Sequence, residues 1–164
     1  MPRFYQSRDQ MGFTPLEVLV VLIIISIISM MVIGRSDIGQ TNLMAQTEVI
    51  KSHIRYAQAR SMNSDRIWGI RCDAPLQAYW LFVDGDPDNI NNQRKLPGEE
   101  SYTVDLGQYK LTLTTATISF DNWGRPCSDN AGTQPLGSDL LLTLSAGGGA
   151  ATAIRVTRNT GFVP

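Results

Sequence analysis

An α+β fold, a long N-terminal helix packed on an antiparallel β-sheet domain, is predicted by three features of the 164-residue sequence. Residues 13–33 form an apolar run, a helical repeat continues to about residue 62, and from residue 67 short stretches alternate apolar and polar side chains between turn signals. The length suits one compact domain with an appendage. Charge is nearly balanced, 14 Lys+Arg against 15 Asp+Glu, so the chain lacks the basic field of a histone-like or ribosomal-protein-like molecule.

The first element is the run over residues 13–33, whose sole ionisable side chain is Glu17. About 20 apolar residues cross the hydrocarbon core of a bilayer as a helix, so the run reads as a single-pass membrane segment. A secretory signal peptide has a shorter apolar core of about 7–15 residues and a small-residue cleavage site. This run instead ends in Gly34-Arg35-Ser36. Arg3 and Arg8 precede it, opposed by Asp9, which places the N-terminus in the cytoplasm and the residues beyond Arg35 outside the inner membrane. A carboxylate within a bilayer costs about 2.5–3.5 kcal/mol, so Glu17 requires a partner or a function. The run holds no basic residue, but cleavage between Gly12 and Phe13 would create an α-amino group four residues before Glu17.

Gly12-Phe13-Thr14-Pro15-Leu16-Glu17-Val18, followed by the Leu/Val/Ile run, resembles the class III signal of type IV prepilins and type II secretion pseudopilins. The resemblance implies that a prepilin peptidase/methyltransferase cuts after Gly12 and methylates Phe13. It further implies that Glu17 guides docking into a helical filament of other pilins or pseudopilins on an inner-membrane assembly platform. Pro15 departs from the aliphatic residue usual at that position. Proline is tolerable in a first helical turn, whose N–H groups have no intrahelical partner, so a mature helix starting at Phe13 is expected. The implied organisation is a leader over residues 1–12, a transmembrane and filament-core helix over 13–34, an amphipathic helical half over 35–62 and a periplasmic β-rich domain over 63–164.

Beyond the run, Leu43, Ile50, Ile54 and Ala57 recur at helical spacing, with Glu48, Lys51, Arg55 and Arg60 largely on other faces. A continuous helix to about Met62 is expected. Gly34 and Gly39 interrupt its pattern, each costing about 1 kcal/mol against Ala, and mark a hinge or a break between two helices. His53 lies on this helix with no ligand-spaced partner and reads as a surface or groove residue.

Residues 67–72 and 78–83 read as a strand hairpin across a 73–77 turn. Residues 110–115, 118–120, 140–144 and 153–158 read as further strands, separated by turn signals at 122–126, 135–137 and 146–150. The aromatic hairpin, the segment Ile118-Ser119-Phe120-Asp121-Asn122-Trp123-Gly124-Arg125-Pro126 and the closing 154–163 stretch resemble the H-type pseudopilin and FimT/FimU minor-pilin branch. In that branch the proteins are low-copy subunits that help initiate or cap the filament.

Three secondary candidates remain. Cys72 and Cys127 match no metal or redox motif. In an oxidising periplasm they would pair as a disulfide closing about 55 residues, worth roughly 4 kcal/mol, or else stay as two separately buried thiols. Asp84, Asp86 and Asp88 alternate like the start of a calcium loop, but Lys95 stands where an EF-hand needs glutamate, leaving a solvated acidic turn as the alternative to calcium. Arg125, Arg155 and Arg158 are the basic residues beyond Lys110, and some FimT-like pilins, which the chain resembles, bind DNA. Three dispersed arginines in a mature chain of 12 basic and 14 acidic residues argue against nucleic acid. No Ser/His/Asp or Cys/His set supports an enzyme. The competing class is a single-pass membrane-anchored periplasmic binding protein, which would leave the bond after Gly12 uncut.

Overall fold

In the computed structural model the described residues are 14–34, 38–147 and 149–164, with 31–34 and 38–39 described by backbone alone. The chain divides into two compact units, Met1–Asp37 and Ile38–Pro164.

In the first unit, helix α1 spans Pro15–Gly34, starting two residues later than expected. The sequence Thr-Pro-Leu-Glu explains the shift. Thr14 is the N-cap, its hydroxyl accepting from the Glu17 N–H at 3.3 Å, and Pro15 takes the first helical position, where its missing N–H is harmless. Large apolar side chains surround the helix, and those over residues 15–30 are between 46% and 81% exposed. Over residues 15–30 the helix therefore has no face buried among the described residues. Among the described residues no helix is long and apolar enough to cross a membrane. The stretch of α1 described down to its side chains ends at residue 30, whereas its backbone runs on to Gly34.

In the second unit, α2 (Ile38–Met62) opens a domain with its own core. The helix expected through residue 62 is described in two parts, Pro15–Gly34 and Ile38–Met62, and the expected hinge residues 35–37 lie outside the described residues. Gly34 closes α1, while Gly39 lies inside α2. Leu43, Thr47, Ile50, Ile54, Ala57 and Ser61 form the buried stripe of α2, alternating steps of four and three residues. Thr47 hides its hydroxyl by donating to the Leu43 carbonyl at 2.6 Å, the back-bonding by which a helix tolerates buried threonine.

Nine strands follow among the described residues: β1 (Trp68–Asp73), β2 (Ala78–Val83), β3 (Gln93–Arg94), β4 (Thr103–Asp105), β5 (Leu111–Leu113), β6 (Ala116–Phe120), β7 (Pro126–Cys127), β8 (Leu140–Ala146) and β9 (Ala151–Val156). They build a larger antiparallel sheet ordered β3-β2-β1-β6-β7, with β4 also on β2, and a smaller one ordered β5-β8-β9. The stripe of α2 packs on β1 and β6 of the first sheet and on β8 and β9 of the second.

Strand β2 is buried at every position, which explains why Ala78–Val83 reads as a continuous apolar run. Tyr79, Leu81 and Val83 join the core under α2. Trp80 and Phe82, on the other face, are covered in part by the segment after β2, where the Pro87 carbonyl accepts the Trp80 indole N–H at 2.7 Å. Gly69 pairs directly opposite Phe82, and a Cβ at 69 would press into the Phe82 ring and the Ile118 carbonyl. Gly69→Ala is expected to destabilise the domain by about 1–3 kcal/mol, as overpacking in a close-packed core does. Denaturant unfolding checks this, and an unchanged midpoint would refute it.

Candidate functional site

The residues expected to carry function fall into separate places. Gly12 and Phe13 lie outside the described residues. Glu17 is in the first turn of α1 and exposed, the one acidic residue of a helix otherwise built from apolar residues and serine. That position is electrostatically favourable, because a helix N-terminus carries partial positive charge. The Thr14-Glu17 spacing is also that of a capping box, so the local chemistry of the helix start and the expected docking role fall on one side chain.

His53 is not a surface residue: it is 4% exposed on the sheet-facing side of α2. Its Nε2 lies 3.2 Å from the Pro97 carbonyl, and its Nδ1 lies 2.9 Å from the Tyr79 hydroxyl. A carbonyl only accepts, so Nε2 carries the proton, Nδ1 accepts, and Tyr79 donates. Both ring nitrogens are satisfied by the neutral form. Burial pushes the His53 pKa below its ordinary 6.5, against smaller opposing contributions from the Pro97 carbonyl and Glu99. The ring is a structural bridge from α2 to β2 and to the loop at Pro97. Sequence reasoning missed it because its partners lie 26 and 44 residues away.

Cys72 and Cys127 are both buried as free thiols, the second of the two alternatives. Strand order gives the reason, because β6 lies between β1, which holds Cys72, and β7, which holds Cys127. Cys127 pairs with Ser119, which pairs with Gly69, three residues short of Cys72. Two strand spacings alone amount to roughly 10 Å, beyond the reach of about 7 Å for a disulfide. Burial pushes the Cys72 thiol up to about 12 and raises that of Cys127, so both stay protonated at neutral pH.

The three alternating aspartates do not converge on a cage. Asp84 accepts from Arg66 Nε at 2.7 Å and the Ile67 N–H at 2.8 Å, Asp86 from the Asp88 N–H at 3.0 Å, and Asp88 faces Arg71 Nε at 3.3 Å. Among the described residues no group of three or more His, Cys, Asp or Glu is placed to hold a metal ion. The basic set is likewise committed internally. Arg125 binds Asp121 at 2.7 Å, and Arg155 binds Asp139, whose other oxygen accepts the Arg158 N–H at 3.0 Å. Those contacts, the Arg158 N–H first, hold the Asp139 carboxyl below its ordinary range. Two of the three arginines are thus neutralised by carboxylates, and the guanidinium of Arg158 is tied to the Gly137 carbonyl at 3.0 Å.

The fold of the second unit, a helix whose stripe covers two antiparallel sheets, is pilin-like. A solved structure of that kind, the type IV minor pilin FimU of Pseudomonas aeruginosa strain PAO1, is similar over 76% of this chain and 88% of its own, with a TM-score of 0.54 and 13% identity. At that identity the likeness concerns the fold. No family model matches the chain, and no curated protein is significantly similar in sequence.

Two outcomes follow from these environments. His53 is the one histidine of the chain. Unfolded, it takes up a proton near 6.5, and folded only at lower pH, so its contribution is complete above about 6.5 and is lost as pH falls below that value. Melting temperature is expected to drop between pH 7.5 and 5.5, and His53→Gln is expected to flatten the slope; an equal slope in the variant would refute the bridge. Thiol labelling without reductant is expected at neither cysteine in the native chain and at both in denaturant. Labelling that requires prior reduction would show a disulfide instead.

Proposed function

We propose that the chain is a minor pilin or minor pseudopilin, inserted in the inner membrane by α1, cut after Gly12, methylated on Phe13 and drawn into a type IV pilus or type II secretion pseudopilus. The observation that carries this reading is a helix exposed and apolar on every side, bearing one acidic residue in its first turn, in a chain with a pilin-like fold. A helix without a buried face needs apolar surroundings supplied by something else. Its 20 residues at about 1.5 Å rise match the roughly 30 Å hydrocarbon thickness, and a bundle of equally apolar helices offers the same environment inside a filament.

Lipid tails are as apolar as neighbouring subunits, so the transfer from membrane to filament gains little from hydrophobicity. Packing and charge pairing must therefore set the register. Glu17 supplies the charge, and the amine exposed by cleavage after Gly12 supplies its partner on the same or an adjacent subunit. The globular unit, with its two sheets on α2, is the part that meets other low-copy subunits.

The experiment is mass spectrometry of sheared surface filaments beside the washed envelope, with the wild-type chain and Glu17→Ala. The expected result is an N-terminal peptide beginning at methylated Phe13, in the sheared fraction for a pilus subunit or confined to the envelope for a pseudopilus subunit. Glu17→Ala is expected to be inserted and cleaved but incorporated less. An uncut N-terminus in both fractions would leave the membrane-anchored binding protein as the reading, and normal incorporation of Glu17→Ala would sink the docking role.

A further inference from the structure

The fold treats its three tryptophans unequally. Trp68 and Trp80 are buried with their indole N–H groups bonded, to Ser64 Oγ at 2.9 Å and to the Pro87 carbonyl at 2.7 Å. Trp123 is 80% exposed, and its indole N–H has no partner among the described residues. An exposed indole on a loose loop would mean little, but this one sits on a fixed turn. Asp121 Oδ1 accepts from the N–H groups of Trp123 at 3.0 Å and Arg125 at 2.8 Å, and its Oδ2 accepts from Arg125 Nε at 2.7 Å. The Asp121 carbonyl accepts from the Gly124 N–H at 2.9 Å. Gln58 of α2 then holds the Gly124 carbonyl at 2.8 Å and the Thr160 carbonyl at 2.7 Å, tying the turn to the helix and to the C-terminal segment. Gly124, at φ +77°, is pressed so close to Met62 that a Cβ there would meet its sulfur at 2.7 Å.

Beside the ring lies an open depression of about 500 Å³, lined by Met62, Asn63, Ser64, Asp65, Asn122 and Trp123. Two of its polar side chains, Asp65 and Asn122, are uncommitted among the described residues, whereas Ser64 Oγ is engaged by the Trp68 indole N–H. Every other described aspartate carboxylate accepts a hydrogen bond or faces an arginine. Asp65 does neither among the described residues, nor does the Asn122 side chain make a hydrogen bond there. Asn63 uses its amide N–H on the Ala59 carbonyl at 2.7 Å and keeps its oxygen unengaged.

We propose that this depression is a carbohydrate-binding site for a neutral hexopyranose unit, with Trp123 stacking on the C–H face of the sugar ring and Asp65 and Asn122 engaging its hydroxyls. A pyranose is amphipathic, with an apolar face and a polar rim. A flat aromatic ring carrying one N–H, bordered by an acceptor-only carboxylate and a donor–acceptor amide, complements both parts. Asp65 supplies one negative charge, but a cationic ligand is the weaker match, since cation recognition is strongest within several aromatic faces and here there is one ring. The carboxylate of Asp65 disfavours an acidic sugar. The hydrogen bonds at Asp121 and Gln58 fix the turn in advance, so binding does not have to order its backbone.

The test uses the full chain in a detergent without sugar headgroups, with cellotriose and N,N′-diacetylchitobiose as probes and saturation-transfer NMR as readout. Transfer to the ring C–H protons of at least one probe is expected, weakened about tenfold or more by Trp123→Ala and by Asp65→Ala. Both side chains are exposed and make no internal hydrogen bond, so the variants are expected to melt with the wild-type chain. No transfer from either probe at about 10 mM would overturn the proposal. Equal transfer in Trp123→Ala, or competition by tetramethylammonium in place of sugar binding, would overturn it as well. The readout requires no filament, so its failure and the failure of the pilin reading are separate outcomes.

Discussion

The two-sheet domain depends on one constraint: a single helix must serve as the floor for both sheets. The β3-β2-β1-β6-β7 and β5-β8-β9 sheets are separate hydrogen-bonded units, and the stripe Leu43, Thr47, Ile50, Ile54, Ala57 and Ser61 packs against strands of each. The small side chains at the end of the stripe, Ala57 and Ser61, suit the helix to a close approach. Ser61 then accepts from the Trp68 N–H at 2.8 Å, so the end of α2 is bonded to the first residue of β1. Arg60, one residue earlier, lays its guanidinium over the Trp68 ring at 4.6 Å from the centroid. The turn from helix to sheet is thereby fixed by polar contacts where apolar burial alone would leave the angle open. His53 does the same at mid-helix, with Tyr79 of β2 on one nitrogen and the Pro97 carbonyl on the other.

Helices α1 and α2 obey opposite solvent rules, and the contrast bears directly on the functional reading. Helix α2 divides its surface into one buried stripe and an ion-paired outer face, exemplified by Glu48 and Lys51 at 2.8 Å. That pattern satisfies a helix within its own domain. Helix α1 has no such division, and its branched side chains from Val18 to Ile28 are exposed all round. Leaving that much apolar surface in water is unfavourable by roughly 25 cal/mol for each square ångström. Helix α2 is satisfied within its own unit, whereas the apolar side chains of α1 described over residues 15–30 stay exposed and, in the proposed reading, are covered by an apolar host.

Periodicity made the larger elements legible in the sequence. The strands near 140 and 153 and helix α2 come from runs long enough for a period of 2.0 or 3.6 to repeat, while α1 and β2 are legible as unbroken apolar runs. Strands β3, β4 and β7 have two or three residues each, too few for any period, and they form because β2 and β6 offer unpaired edges to them. The geometry of the secondary candidates departs from their sequence spacing for a related reason. Alternating aspartates at 84, 86 and 88 look like ligands by spacing, yet Arg66 and Arg71, distant in sequence, claim the first and the last. The cysteines suit a disulfide by compartment, and only strand order shows that β6 separates them. His53 looks solvent-facing when the charged side chains of its helix are counted, because its partners belong to the sheet. What the sequence conveys well is local repetition, and what it hides is which distant residue satisfies a given polar group.

The start of α1 joins local helix chemistry to the proposed assembly step. Thr14 caps the helix and Pro15 fixes its first turn, so the unpaired N–H groups and the positive end of the helix dipole lie around residues 14–17. In the proposed mature chain, cleavage after Gly12 adds an ammonium one residue ahead of that cap. Two positive features then coincide in an apolar environment, where an unpaired charge is costly. Glu17 sits in the same turn and can answer one of them. With the dipole and the ammonium both present, a single carboxylate in each subunit is drawn between its own helix start and the amine of a neighbour. In the proposed assembly, moving from lipid into a packed bundle would resolve that competition by bringing the amine of one subunit beside the Glu17 of another. In the proposed assembly, the turn that starts the helix would thus also set the register in which subunits stack.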